Sequence, residues 1–118
     1  MLSKKMRIAE NTEIATVNAP ADYKKRLGAL PKGVTIKNKP GGKNDFIHLF
    51  VKDKAELEKE IFKTAAKLNP NGLLWISYPK GGSGIQTDLT RDKGWESIEK
   101  LKMEWLALIS FDATWSAF

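Results

Sequence analysis

Two short apolar segments joined by one amphipathic helix constrain the fold of this chain more than any other feature. Phe46–Val51 (FIHLFV) and Leu73–Tyr78 (LLWISY) are apolar at nearly every position, which is typical of strands covered on both faces. Between them, apolar residues recur at helical spacing and form one stripe: Leu57, Ile61, Phe62, Ala65 and Leu68. We therefore predict a right-handed βαβ unit whose two strands are parallel and central.

Local signals mark both ends of that helix. Asp53 is the predicted N-cap, and Glu56 follows three residues later, as in an acidic variant of the capping box. Asn69-Pro70-Asn71-Gly72 is predicted to end the helix, because proline and glycine interrupt helical hydrogen bonding. The strand Leu73–Tyr78 then follows directly.

The first third of the chain predicts further α/β elements. Ile14–Asn18 is expected to form a short buried strand, and Ala21–Leu27 a short helix that Gly28 ends. Val34–Lys39 alternates apolar and polar residues, as an edge strand does. The link from that strand to Phe46 is too short to hold a crossover helix, so the strand order in this half stays open.

The last third predicts one more helix and two strands. A helix is expected over about Arg91–Leu101, with Trp95, Ile98 and Leu101 facing inward. Glu104–Asp112 and Ala113–Phe118 are expected to form an antiparallel hairpin, or one strand with a sharp break between the two runs. The predicted fold class is a small three-layer, Rossmann-like α/β sandwich with a mostly parallel sheet of five or six strands.

Length and composition exclude several classes of protein. The 118 residues fit one domain over residues 1–118, in which we expect residues 1–12 to be disordered or loosely packed. The absence of cysteine excludes thiolate chemistry, and a single histidine, His48, does not supply a zinc site, so we expect neither metal nor cofactor. There is no apolar run of roughly 18 residues and no secretory signal pattern. We expect a cytoplasmic protein without a membrane partner.

The net charge of +6 is concentrated in one stretch. The segment 24–43 contains no acidic residue and seven basic ones: Lys24, Lys25, Arg26, Lys32, Lys37, Lys39 and Lys43. This basic segment is either a solvated surface or a site for an acidic protein partner. We do not expect nucleic-acid binding, because Trp115, the aromatic residue best suited to stack on a base, lies at the far end of the chain.

Four segments carry a resemblance that runs over most of the chain: Val17–Pro20 (VNAP), Leu30–Val34 (LPKGV), Leu73–Thr90 (LLWISYPKGGSGIQTDLT) and Asp112–Phe118 (DATWSAF). In these segments the chain resembles a family of small bacterial proteins catalogued as a domain of unknown function. Because that family has no established activity, the resemblance supports the fold more than a function.

The order of elements from Phe46 onward is also similar to the C-terminal half of class I S-adenosylmethionine-dependent methyltransferases. The resemblance implies a methyltransferase-like scaffold. Those enzymes hold the cofactor with a glycine-rich loop after the first strand and an acidic residue ending the second. Here the first strand leads into Asn18-Ala19-Pro20, and the second ends in Lys37-Asn38-Lys39. Both determinants are missing, so we do not expect methyltransferase activity.

The loop after Leu73–Tyr78 is the strongest candidate for a ligand site, because ligands of open parallel sheets bind beyond the carboxyl ends of the strands. Glycine amides, hydroxyl groups and two cations converge there and suit a small anionic ligand or an acidic segment of a partner. The candidate binding residues are Asn18, Tyr78, Lys80, Gly81, Gly82, Ser83, Gly84, Thr87, Asp88 and Arg91. The order of glycines and lysine does not match a nucleotide-binding P-loop.

Other interpretations of the same residues stay open. The loop is equally compatible with a structural turn in which Asp88 caps the third helix, Asn18 caps the first, and Tyr78 only packs. An enzyme of unknown chemistry would use Lys80, Asp88 or His48 as acid–base groups. On a central strand His48 is more typical of a packed residue. A protein-interaction module would use the basic segment 24–43.

Overall fold

In the computed structural model, which describes residues 5–38, 41–42, 44–79, 95, 109–111 and 115–117, six strands form one mixed sheet. The elements are β1 Glu13–Val17, α1 Tyr23–Leu27, β2 Thr35–Lys37, β3 Asn44–Phe50, α2 Lys54–Ala65, β4 Leu68–Pro79, β5 Ile109–Ser110 and β6 Trp115–Ala117. The strand order is β2–β1–β3–β4–β6–β5, with the first four strands parallel and β6 antiparallel to both of its neighbours. The predicted α/β class, the mostly parallel sheet and the C-terminal hairpin are confirmed.

The sheet order also answers the question that the sequence left open. β1 lies between β2 and β3, so the short link after β2 carries the chain past β1. β2 is an edge strand and β3 and β4 are central, as their residue patterns predict. The pairing of Ala15 with both Lys37 and Ile47 fixes the register of the three strands.

Two apolar layers cover the sheet, one on each face. The α1 face is built from α1, the segment before β1, and one set of side chains of the central strands, including Phe46, Phe50 and Trp75. The α2 face packs Leu57 and Ile61 of α2 against the opposite side chains of the same strands. Alternation of side chains along each strand therefore places consecutive apolar residues of FIHLFV in different layers, which is why the whole run is apolar.

Residues 5–12, the described part of the segment before β1, are packed rather than disordered or loose, whereas residues 1–4 lie outside the described part of the chain. Met6 is fully buried and Ile8 nearly so, both in the layer on the α1 face. The Trp75 indole N–H donates to the Met6 carbonyl at 3.0 Å. A buried indole N–H needs an acceptor, and this long-range bond supplies one, so residues 5–12 are tied to the centre of the sheet.

Helix α2 begins as predicted. The Asp53 carboxylate accepts from the Glu56 backbone N–H at 2.9 Å, and the Glu56 carboxylate accepts from the Lys52 N–H at 2.9 Å. The second bond lies one residue before the position of a standard capping box. The apolar stripe is correct at Leu57 and Ile61 and wrong at Phe62, whose side chain is 49% exposed, because residue 62 lies on the solvent side of α2.

The turn Asn69-Pro70-Asn71-Gly72 does not end the helix. Helix α2 ends at Ala65, and the turn lies inside β4, which starts at Leu68. The pairing with β3 jumps from Asn44–Leu68 to Phe46–Leu73, so these residues form a bulge. The site is close-packed: a Cβ at Gly72 would lie 2.7 Å from Leu68 Cδ1 and 3.1 Å from the Asn69 carbonyl oxygen, so a larger residue would require the Leu68 side chain to shift.

Asp53→Ala should lower the free energy of unfolding by about 1 kcal/mol, because a helical N–H loses its side-chain acceptor. Urea denaturation of the variant and the wild type measures the change. Glu58→Ala is the matched control, since it removes an exposed carboxylate from the same helix and should change stability by less than about 0.5 kcal/mol. Equal losses in the two variants would contradict the capping role of Asp53.

Candidate functional site

The direction of the chain across the sheet reverses between β1 and β3. From β1 the chain passes through α1 to β2 on one side, and from β3 it passes through α2 to β4 on the other. The two helices lie on opposite faces of the sheet. In open α/β sheets such a reversal leaves a crevice beyond the carboxyl ends of the two strands, where ligands bind. We call the ends of β1 and β3, with Asn18 and Val51, the carboxyl edge.

Asn18 is the candidate residue that the structure places at this edge. It follows β1 directly, has an exposed side chain and adopts a left-handed backbone conformation with φ 59°. The residue at the N-cap position of α1 is Asp22, so the interpretation of Asn18 as the cap of the first helix is wrong. Asparagine adopts this conformation more readily than most residues, and Arg7 and Asn11 share it with Asn18.

Tyr78 is not at the crevice. Its ring is buried on the α2 face, where it packs edge to face against Trp95 with 5.3 Å between ring centroids. The structure therefore favours the packing interpretation of Tyr78 over a ligand contact. It also agrees with the inward orientation predicted for Trp95, which is buried.

The remaining candidate residues lie outside the described part of the chain: Lys80, Gly81, Gly82, Ser83, Gly84, Thr87, Asp88 and Arg91. The interpretations that depend on them, a ligand loop and a cap for the third helix, stay predictions. The last described residue before them is Pro79, which is buried and ends β4 beside β3.

Two described cations of the basic segment 24–43 have acidic partners that precede the segment in sequence. Arg26 Nε donates to the Asp22 carboxylate at 2.7 Å, and Lys37 Nζ lies 2.8 Å from the Glu13 carboxylate across the β1–β2 pair. The side chains of Lys24 and Lys25 are exposed on α1 and line an open depression of about 490 Å³ with Ala21, Asp22 and Gly28. Lys24 and Lys25 therefore present two exposed positive charges on α1, the helix that follows the carboxyl end of β1.

A buried polar chain crosses the α1 face, and the sequence analysis missed it. The Tyr23 hydroxyl lies 2.8 Å from His48 Nδ1, and His48 Nε2 lies 2.6 Å from the Ser77 hydroxyl. All three side chains are buried. A neutral imidazole has one donor and one acceptor nitrogen, and each hydroxyl can take either role, so both ring nitrogens are satisfied. The available signal was a polar residue within each of two otherwise apolar strands.

Burial sets the protonation states of His48 and Tyr23. It lowers the pKa of His48 from 6.5 to about 3 and raises the pKa of Tyr23 well above its usual value. His48 is therefore a neutral, packed residue at pH 7, and its burial does not suit an acid–base role toward a ligand in solvent. In the described part of the chain, no group of three or more acidic or histidine residues is arranged to hold a metal ion.

Comparison of the chain with family models, curated proteins and solved structures finds no match. The resemblances to a bacterial family and to methyltransferases accordingly stay predictions. Among the described residues, no helix has both the length and the apolar character needed to cross a bilayer.

Proposed function

We propose that this protein binds a small anionic ligand at the carboxyl edge of its sheet. One observation carries the proposal: Asn18 lies at the point where the strand order reverses, with an exposed side chain, a left-handed backbone and no role as the cap of α1. The side-chain amide N–H groups of Asn18 can donate to an anion, and ligands of such sheets bind at this point.

The charge around the edge supports an anion over a cation. Lys24 and Lys25 project from α1, and Lys52 is exposed just after β3. The carboxylates close to these cations in sequence already have partners: Asp22 binds Arg26, and Asp53 caps α2. The sequence following Pro79 adds Lys80, three glycines and Arg91, the residue types that hold phosphates and carboxylates.

The basic edge strand, β2, is less suited to bind a protein partner than the carboxyl edge is to bind an anion. The Thr35 N–H donates to the Thr12 carbonyl, so within β2 only Ile36 turns its backbone N–H and C=O toward the free edge. One residue does not provide the ladder of hydrogen bonds by which an extended segment adds to a sheet. We therefore place the ligand at the carboxyl edge and treat binding at β2 as a competing outcome of the test.

Titration with a phosphorylated nucleotide and with a small dicarboxylate, followed by ¹⁵N–¹H correlation spectra, tests the proposal. We expect saturable shifts at Asn18, Ala19 and the amides of Gly81–Asp88, and none with the uncharged nucleoside. An oligoglutamate peptide serves as the second probe. Shifts confined to Thr35–Lys37 with this peptide would move the site to the basic edge strand, and no shifts with any anion would contradict the proposal.

Asn18→Gly should weaken ligand binding about fivefold, the loss of roughly one hydrogen bond, without lowering stability. Glycine keeps the left-handed backbone and removes only the amide side chain. Asn11→Gly is the matched control, because Asn11 has the same residue type and nearly the same φ, 62°, but precedes β1 at the opposite end. Equal affinities of the two variants would exclude Asn18 from the site.

A further inference from the structure

The buried polar chain joins three elements that are far apart in sequence. Tyr23 comes from α1, His48 from β3 and Ser77 from β4, and their polar atoms are linked by contacts of 2.8 and 2.6 Å. The proposed ligand site does not use these residues. Their arrangement makes a histidine the centre of the contact between a short helix and the sheet.

Among the described residues, the groups that bond to or stack on His48 include no anion to balance a protonated ring. His48 stacks on Phe50 with 4.3 Å between ring centroids and meets Phe111 edge to face at 5.2 Å. Its neighbour across the β1–β3 pair is Thr16, whose hydroxyl donates to the Lys37 carbonyl. Among the described residues that contact His48, the only titratable side chain is Tyr23. A charged imidazole here would be buried against aromatic rings, with no anion among these described contacts.

Helix α1 is attached to the sheet through side chains. Within the described residues, the backbone–backbone hydrogen bonds of residues 19–28 stay inside that segment, as in Tyr23 N–H to the Pro20 carbonyl. The segment follows Asn18 and ends at Gly28, and both of these residues have a positive φ, 59° and 76°. Tyr23 and Leu27 are its buried contacts with the core. The strands below are instead held by continuous ladders. Loss of the side-chain contacts would free α1 before it disrupts the sheet.

We propose that Tyr23, His48 and Ser77 form an acid-sensitive latch, in which protonation of His48 releases the segment Ala19–Gly28 while β1, β3 and β4 stay paired. Release places the imidazolium in water and exposes the aromatic surface around Phe50. If the proposed function is correct, release also displaces the chain next to Asn18 and lowers ligand affinity, a consequence that rests on that function. The latch itself does not depend on it.

The ligand-free protein tests the latch by NMR between pH 7 and pH 3. We expect the heteronuclear NOE values of the Tyr23–Leu27 amides to fall with a common midpoint between pH 6.5 and pH 3, together with the change in the His48 imidazole shifts. The amides of Ile47 and Leu49 in β3 should keep their values at that midpoint. Simultaneous loss in α1 and β3, or an unchanged α1 down to pH 3, would overturn the proposal.

Variants separate the latch from a general sensitivity to acid. Tyr23→Phe removes one hydroxyl and should raise the pH midpoint of α1 release by about one unit. This corresponds to a tenfold smaller equilibrium constant for holding α1 on the sheet. Tyr78→Phe makes the same change on the α2 face and should leave the midpoint in place. His48→Gln should abolish the midpoint. An equal shift in Tyr78→Phe, or a retained midpoint in His48→Gln, contradicts the latch; if His48→Gln does not fold, the two tyrosine variants decide.

Discussion

Phe50→Ala should lower the free energy of unfolding by about 3–5 kcal/mol, the usual cost of removing a buried phenylalanine. Phe50 is 1% exposed and lies at the centre of the aromatic cluster on the α1 face. Its ring contacts four others at centroid distances between 4.3 and 5.7 Å: Tyr23, His48, Phe111 and Trp115. The surrounding rings are held by α1, β3, β6 and the residue after β5, so they cannot close the cavity that truncation leaves. Both the lost burial of the ring and the cavity therefore lower stability.

Phe62→Ala is the matched control for that substitution. The two residues undergo the same chemical change, but Phe62 is 49% exposed on the outer side of α2. We expect its replacement to change stability by less than about 1 kcal/mol. Urea unfolding followed by tryptophan fluorescence measures both variants. Similar losses at positions 50 and 62 would show that the aromatic cluster is not packed as described.

Acidification should destabilise the protein by several kcal/mol through His48 alone. The pKa of His48 is lowered by burial from 6.5 to about 3 in the folded state, so the unfolded chain binds the proton more tightly. The contribution of the neutral ring to stability is complete above pH 6.5 and is lost as the pH falls from 6.5 toward 3. At pH 4.5, two units below the unfolded value, the loss is roughly 3 kcal/mol. Urea denaturation at a series of pH values measures the slope.

His48→Gln should remove most of this pH dependence between pH 6.5 and pH 4.5, because glutamine does not titrate. The wild-type curve also reports on the latch. If α1 leaves the sheet first, the loss of unfolding free energy with falling pH should level off near the midpoint of that release. The reason is that His48 then has nearly the same pKa in the partly open state as in the unfolded state. A His48→Gln variant as acid-sensitive as the wild type would assign the effect to other groups.

The sequence determined the elements whose signals are local. The apolar runs 46–51 and 73–78 predicted β3 and the second part of β4, because a strand buried on both faces must be apolar throughout. Asp53 and Gly28 marked the ends of helices through bonds and backbone angles that involve residues close in sequence.

Local signals failed where a distant residue decided the outcome. The turn at residues 69–72 was predicted to end a helix, but pairing with β3 absorbs it as a bulge in β4. Met6 and Ile8 are packed because Trp75 and the layer on the α1 face receive them. Phe62 satisfied the helical spacing, yet α2 turns that position to solvent.

The candidate site likewise has features that the sequence predicted and features that only the tertiary structure decided. The sequence alone placed Asn18 at the carboxyl end of the first strand and gathered glycines and cations after Tyr78. Only the tertiary structure put Asn18 at the reversal of strand order and moved Tyr78 into the core. It also joined Tyr23 to His48 across 25 residues and His48 to Ser77 across 29. Residue spacing specifies which face of a strand or helix a side chain occupies. Contacts such as Tyr23–His48 and His48–Ser77 depend instead on which elements pack together, and burial of the whole sheet decides that packing.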